Sequence, residues 1–286
     1  MAQTQASGAS LYVDTIVSPS FKTAVAQIVQ IPGVAGMENN TILFEFSRED
    51  PTGLADILEG CRFAAFVGYN ICILRSSERH FGYRRSLHIW LNAGDLRNAN
   101  LMILLAYILV GHPEWRGCEI QLLAAFDPER VDEAATRLTE LVSAGRIPIS
   151  VANIQRITME SGVSFEELVS THSDTADLVI TGLSLKKMVR DKGHFLAGIP
   201  GVHDVLFVHA GQAMLIATEE GDGNFAELLD AEDSLLRQEP KLEASAEEEA
   251  ADAKAAANDP ENGGALKPDA APARATELPL PEPPTK

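Results

Sequence analysis

The sequence predicts a parallel α/β fold, and three observations carry that reading. Residues 87–125 place a strand, a helix apolar on every side and a second strand in strict succession, which is the order of a parallel crossover unit. Short runs rich in Val, Ile and Leu recur at residues 41–46, 70–75, 177–183 and 205–208, with helical spacing between most of them. Only three residues separate Ala210 from Met214, whereas a parallel crossover needs about a dozen, so residues 214–217 are expected to pair antiparallel at the sheet edge.

Each element follows from its own signals. After a flexible start at residues 1–10, residues 11–17 alternate as a strand. Ser18 and Pro19 open a helix whose Ala24, Val25, Ile28 and Val29 share a face. Residues 41–46 form a strand. Asp50 and Pro51 begin a helix carrying Leu54, Ile57, Leu58 and Cys61 until Gly68 stops it, and residues 70–75 are the next strand. A first unit thus spans residues 11–75, and residues 76–85 are a polar, basic linker.

The second unit, residues 86–220, repeats the plan with strands at 87–91, 119–125, 147–154, 177–183 and 205–208. Asp127 and Pro128 start a helix with Val131, Ala134, Ala135, Leu138, Leu141 and Val142 on one face. Ser164 and Glu167 form a capping box, and residues 186–196 read as a weaker helix. Residues 221–238 are expected to be a terminal acidic helix or extension.

From residue 239 the chain is Ala, Pro and Glu with almost no large apolar side chain, too little to offset chain entropy, and is expected to be a disordered tail. Its eleven acidic residues against five basic ones leave a net charge of −12 of the total −18 on residues 1–238, which argues against nucleic acid as a partner. The longest apolar run, residues 101–110, is half the roughly 20 residues needed to span a bilayer, and the first ten residues lack the regions of a secretory signal. Cys61, Cys72 and Cys118 sit in apolar elements and read as reduced core thiols of a cytosolic protein.

Phosphate loops, the Gly-x-Ser-x-Gly elbow, Cys-x-x-Cys and paired His spacings are absent from the sequence, so neither an enzyme nor a cofactor or metal is expected. His88 and His203 read as hydrogen-bonded structural residues.

Several segments resemble, in order, the cytosolic carboxy-terminal domain of cation-chloride cotransporters. They are Ala24 to the Pro32-Gly33-Val34 turn; Asn40-Thr41-Ile42-Leu43-Phe44; Ile89-Trp90-Leu91 with Gly94-Asp95, Trp115 and Arg116-Gly117-Cys118; Ala176-Asp177-Leu178-Val179-Ile180; and Val205 to Val208 with Met214-Leu215-Ile216. Glu38-Asn39 stands where that family has Lys-Pro, and Asn92-Ala93 precedes Gly94-Asp95, which points to a distant prokaryotic branch. The resemblance implies paired α/β halves like universal stress proteins, a homodimer, and a regulatory role at the inner face of the cell membrane beside a transport domain in the same or another chain.

Three candidate sites remain. Ligands of parallel sheets collect beyond the carboxyl ends of strands, here Ser47, Asn92, Gly94 and Asp95, although Gly and Asp also favour plain turns. Arg79, Arg84 and Arg85, with Lys186, Lys187 and Arg190, form basic groups that either face a membrane or transporter or are solvated charge. The helix with Leu101, Leu104, Leu105 and Ile108 must be covered all around, by the protein's own core or by a second copy. The function expected is a non-enzymatic regulatory and dimerisation domain; the alternative is a stand-alone, universal-stress-like nucleotide-binding protein.

Overall fold

Seven strands form one continuous sheet among the described residues of the computed structural model, which are 15–33, 38–92, 95–126, 149–160 and 162–212, with single positions at 128, 132, 136 and 139. They belong to the first of two compact units, Met1–Asp230 and Ala231–Lys286. The elements are α1 (Phe21–Ile28), β1 (Thr41–Ser47), α2 (Leu54–Phe66), β2 (Asn70–Ser76), β3 (Ser86–Leu91), α3 (Leu96–Val110), β4 (Glu119–Phe126), β5 (Ile154–Thr158), α4 (Phe165–His172), β6 (Leu178–Gly182), α5 (Leu185–Arg190), α6 (His194–Ala197) and β7 (Val205–His209). The strand order is β1-β2-β7-β6-β3-β4-β5.

Every neighbouring pair is parallel except β2 with β7, where Ile71 faces His209 and Arg75 faces Val205. The antiparallel pair therefore lies in the interior, and β7 joins the two predicted halves into one sheet. The expected edge strand at residues 214–217, the helix expected after Asp127, the strand at residues 11–14 and the tail lie outside the described residues.

The layering follows from strand alternation, which sends successive side chains to opposite faces. On one face Ile71, Ile73, Trp90, Val179 and Phe207 pack with side chains of α1, α2, α4, α5 and α6. On the other, Leu87, Ile89, Leu91, Leu122 and Ile180 pack beneath Ala99, Met102, Ile103 and Ala106 of α3.

Several boundaries differ from expectation, each for a local reason. Residues 15–17 make no strand. Ser20 rather than Ser18 caps α1, because its extended backbone lets its hydroxyl accept from the Thr23 amide at 3.2 Å. Asp50 accepts from the Thr52 amide at 3.2 Å and so closes a turn, and α2 starts later, at Leu54. Strand β5 begins at Ile154, where pairing with Leu122 starts, and residues Val151–Asn153 form a 3-10 turn tied to β4 by Asn153, whose side chain donates to the Ile120 carbonyl. The weak helix of residues 186–196 is two helices, since Lys192 and Gly193 both take positive φ, 55° and 77°. Gly68, at φ 80°, ends α2 as expected, and the Ser164–Glu167 capping box is present.

The linker at residues 76–85 is pinned by two buried aspartates that open β6 and β7. Asp204 accepts from the amides of Ser77 and Phe81 and the Ser77 hydroxyl. Asp177 accepts from the amides of Tyr83, Arg85 and Ser86 and from the Arg79 guanidinium. Buried carboxylates are stable there because each is saturated with donors.

Candidate functional site: a cavity beyond the carboxyl ends of β3 and β6

Parallel β3 and β6 end side by side, with Trp90 opposite Thr181, so the segments that follow them converge. A cavity of about 140 Å³ lies there. Its polar lining is Asn92 and Asp95 after β3, Thr181 and Ser184 around the end of β6, Glu166 of α4 and Lys187 of α5. Phe165, Phe195 and Phe207 supply much of its apolar wall.

Asp95 is the central group. It precedes the first turn of α3, yet its carboxylate makes no capping bond to that turn. Instead it lies directly over Gly182, occupying the space a β-carbon there would need. The residue is 5% exposed, and its Oδ2 has no hydrogen-bond partner. Burial pushes the carboxyl up from 3.8 to about 7, against the opposing effect of hydrogen bonds from the Asn92 backbone and Asn98 side chain and the charge of Lys187. Asn98 is itself fixed, because its Oδ1 accepts from the Ala210 amide at 2.9 Å. Lys187 is held by Glu166 as an ion pair and lies 5.1 Å from the Phe195 ring centroid.

The predicted ligand loops are thus only partly brought together. Asn92 and Asp95 share the cavity, Gly94 lies outside the described residues, and Ser47 ends the edge strand β1, where its hydroxyl accepts from the Glu49 amide at 3.2 Å. Glu166, Thr181 and the aromatic wall come from distant segments, and no local motif marks them.

The basic residues separate into two groups at opposite ends of the sheet, since one precedes β3 and the other follows the parallel β6. Arg79 pairs with Asp177 at 2.8 Å, Arg84 with Glu114 at 3.0 Å, and Arg85 donates to the Arg116 carbonyl. Arg75, at the end of β2, is fully buried and donates to the carbonyls of Leu196, Ile199 and Val202; desolvation lowers its pKa to about 10. Lys186 and Arg190 are exposed on α5.

Helix α3 is buried all round at residues 98–103 and opens to solvent on one side beyond them. Leu101 is in the core and Leu105 is half-buried, whereas Leu104, Tyr107 and Ile108 are 37%, 51% and 60% exposed, one turn apart on a single stripe. The sheet covers the opposite face, through Ala99, Met102, Ile103 and Ala106. His88 is structural, as expected: buried, bonded to Ser86 and Ser173, and lowered by burial to about 4. Burial likewise raises the thiols of Cys61 and Cys72, to about 12 and about 11. Among the described residues no helix is long and apolar enough to cross a membrane.

No protein-family model and no curated protein matches the chain. Among solved structures, it is similar to the cytoplasmic domain of a prokaryotic cation chloride cotransporter, with 15% identity and a TM-score of 0.47 over 66% of this chain and 69% of the other. It is also similar to a putative universal stress protein from Pseudomonas aeruginosa UCBPP-PA14, with 14% identity and a TM-score of 0.45 over 72% and 74%. A universal stress protein from Archaeoglobus fulgidus DSM 4304 shows 12% identity and a TM-score of 0.41, and the match spans 64% of each chain.

Proposed function

We propose that this chain is a non-enzymatic regulatory module which self-associates through α3 and acts at the inner face of the cell membrane on a cation-chloride-cotransporter-like transport domain. The observation that carries the reading is the stripe Leu104, Tyr107 and Ile108, exposed on a helix whose other face is core. A second copy is the occupant that suits it. A two-fold pairing of antiparallel α3 helices is self-complementary: it buries the stripe against itself and brings exposed Arg97, at the amino end, toward the partner's carboxyl end, where Glu114 is exposed. The collinear sequence resemblance supplies the transporter part of the reading.

The nucleotide-binding alternative is disfavoured by charge and size. Asp95 and Glu166 outnumber Lys187 among the charged groups lining the cavity, which repels a phosphate, and about 140 Å³ is close to the volume that encloses a benzene.

Cross-linking tests the association. The Tyr107→Cys variant, near the centre of that pairing, in a Cys118→Ser background that leaves only the buried Cys61 and Cys72, is expected to form a disulfide dimer under mild oxidation. Persistent monomer would count against pairing through α3.

A further inference from the structure

We propose that the cavity between β3, β6, α4 and α5 binds a small organic ammonium, its charged nitrogen on the Asp95 carboxylate and its apolar body against Phe165, Phe195 and Phe207. This goes beyond the regulatory reading and is independent of α3 pairing.

Four observations converge. A carboxylate oxygen that is 95% buried and without a donor is costly to keep, and Asp95 Oδ2 is such an atom in a residue lining the cavity. A cation with N–H groups supplies both the missing hydrogen bond and the missing charge. Lys187 does not fill this role, since its ammonium is held by Glu166 and lies over Phe195. With Lys187 and Glu166 offsetting each other, Asp95 leaves the site one negative charge, which selects a monocation and repels an anion.

The lining also argues for an organic ligand over a bare metal ion, because hard cations take six or more oxygen ligands and three phenylalanines provide none. The same rings pack the apolar body of an organic ligand. A cavity of about 140 Å³ sets the size near that of benzene with a short substituent.

The probe that matches is benzylamine, titrated into the full chain at about pH 8 and followed by amide NMR shifts at Phe165, Thr181 and Gly182. Saturable binding is expected, with neutral benzyl alcohol and anionic benzoate at least about tenfold weaker, the difference a charge-assisted hydrogen bond makes. Asp95→Asn, which keeps the shape and removes the charge, is expected to weaken benzylamine by the same factor. Binding should also fade as pH falls below about 7 and the Asp95 carboxylate takes a proton. Equal affinity for benzyl alcohol, no saturation by about 10 mM benzylamine, or unchanged affinity in Asp95→Asn would each overturn the proposal. The benzyl alcohol comparison uses the unaltered chain, so it decides the matter even if the variant misfolds.

Discussion

The Asp95 carboxylate rests on the bare Cα of Gly182, in the volume any side chain at that position would occupy. Gly182 ends β6, and its lack of a Cβ is what lets Asp95 lie over the neighbouring strand end. Gly182→Ala must displace Asp95, and is expected to cost about 1–3 kcal/mol, as overpacking in a close-packed site does. Urea unfolding of the variant measures that cost.

Asp95 and His88 titrate over the same pH range with opposite effects. For Asp95 the folded chain keeps a proton that the unfolded chain releases above 3.8, so this stabilisation is complete below that pH and is lost as pH rises to about 7. For His88 the unfolded chain gains a proton below 6.5 that the folded chain refuses until about 4, so this stabilisation is complete above 6.5 and is lost as pH falls. His209, also lowered by burial, acts in the same direction as His88. Each of the two large shifts corresponds to at most about 3–4 kcal/mol. Relative to the wild type, Asp95→Asn should gain stability as pH rises from about 5 to 7, and His88→Gln should lose it over the same interval. Unfolding midpoints at the two pH values give both differences.

Asp177 holds the far end of the linker by four donors, and its removal leaves them without an acceptor. Asp177→Ala is expected to destabilise the fold by about 3–5 kcal/mol, the range for breaking a buried charge cluster. Hydrogen exchange at the amides of Tyr83, Arg85 and Ser86 should accelerate, while those of Ser77 and Phe81, held by Asp204, should change less. Uniform acceleration across both groups would contradict the division of the linker between two anchors.

Most strands were legible because a buried parallel strand needs only a short Val, Ile and Leu run, as at residues 41–46 and 177–183. What a run does not encode is its neighbour. The residues of β7 read as another strand of the second unit, yet β7 inserts beside β2 and runs against it. Cap positions are not legible where two candidates stand close together, as Ser18 and Ser20 do, since backbone conformation decides between them. At the cavity, Asn92 and Asp95 follow from their place beyond a strand end, whereas Glu166, Thr181 and the three phenylalanines meet only through tertiary packing. The linker anchors did leave a trace: Asp177 and Asp204 each stand immediately before an apolar strand, a place where a charge invites a search for its partners. The partners that engage Arg79, Arg84 and Lys187 are hidden for a related reason, because sequence shows charge and not pairing.

The most direct test is the solution mass of the full chain by light scattering over a concentration series, beside a Leu104→Glu/Ile108→Glu variant. Both side chains are solvent-facing in the single chain, so the variant should keep its fold and its circular dichroism. The account predicts a dimer that persists at low micromolar protein for the wild type and a monomer for the variant. A wild-type monomer at every concentration, or a variant that stays dimeric, would contradict it.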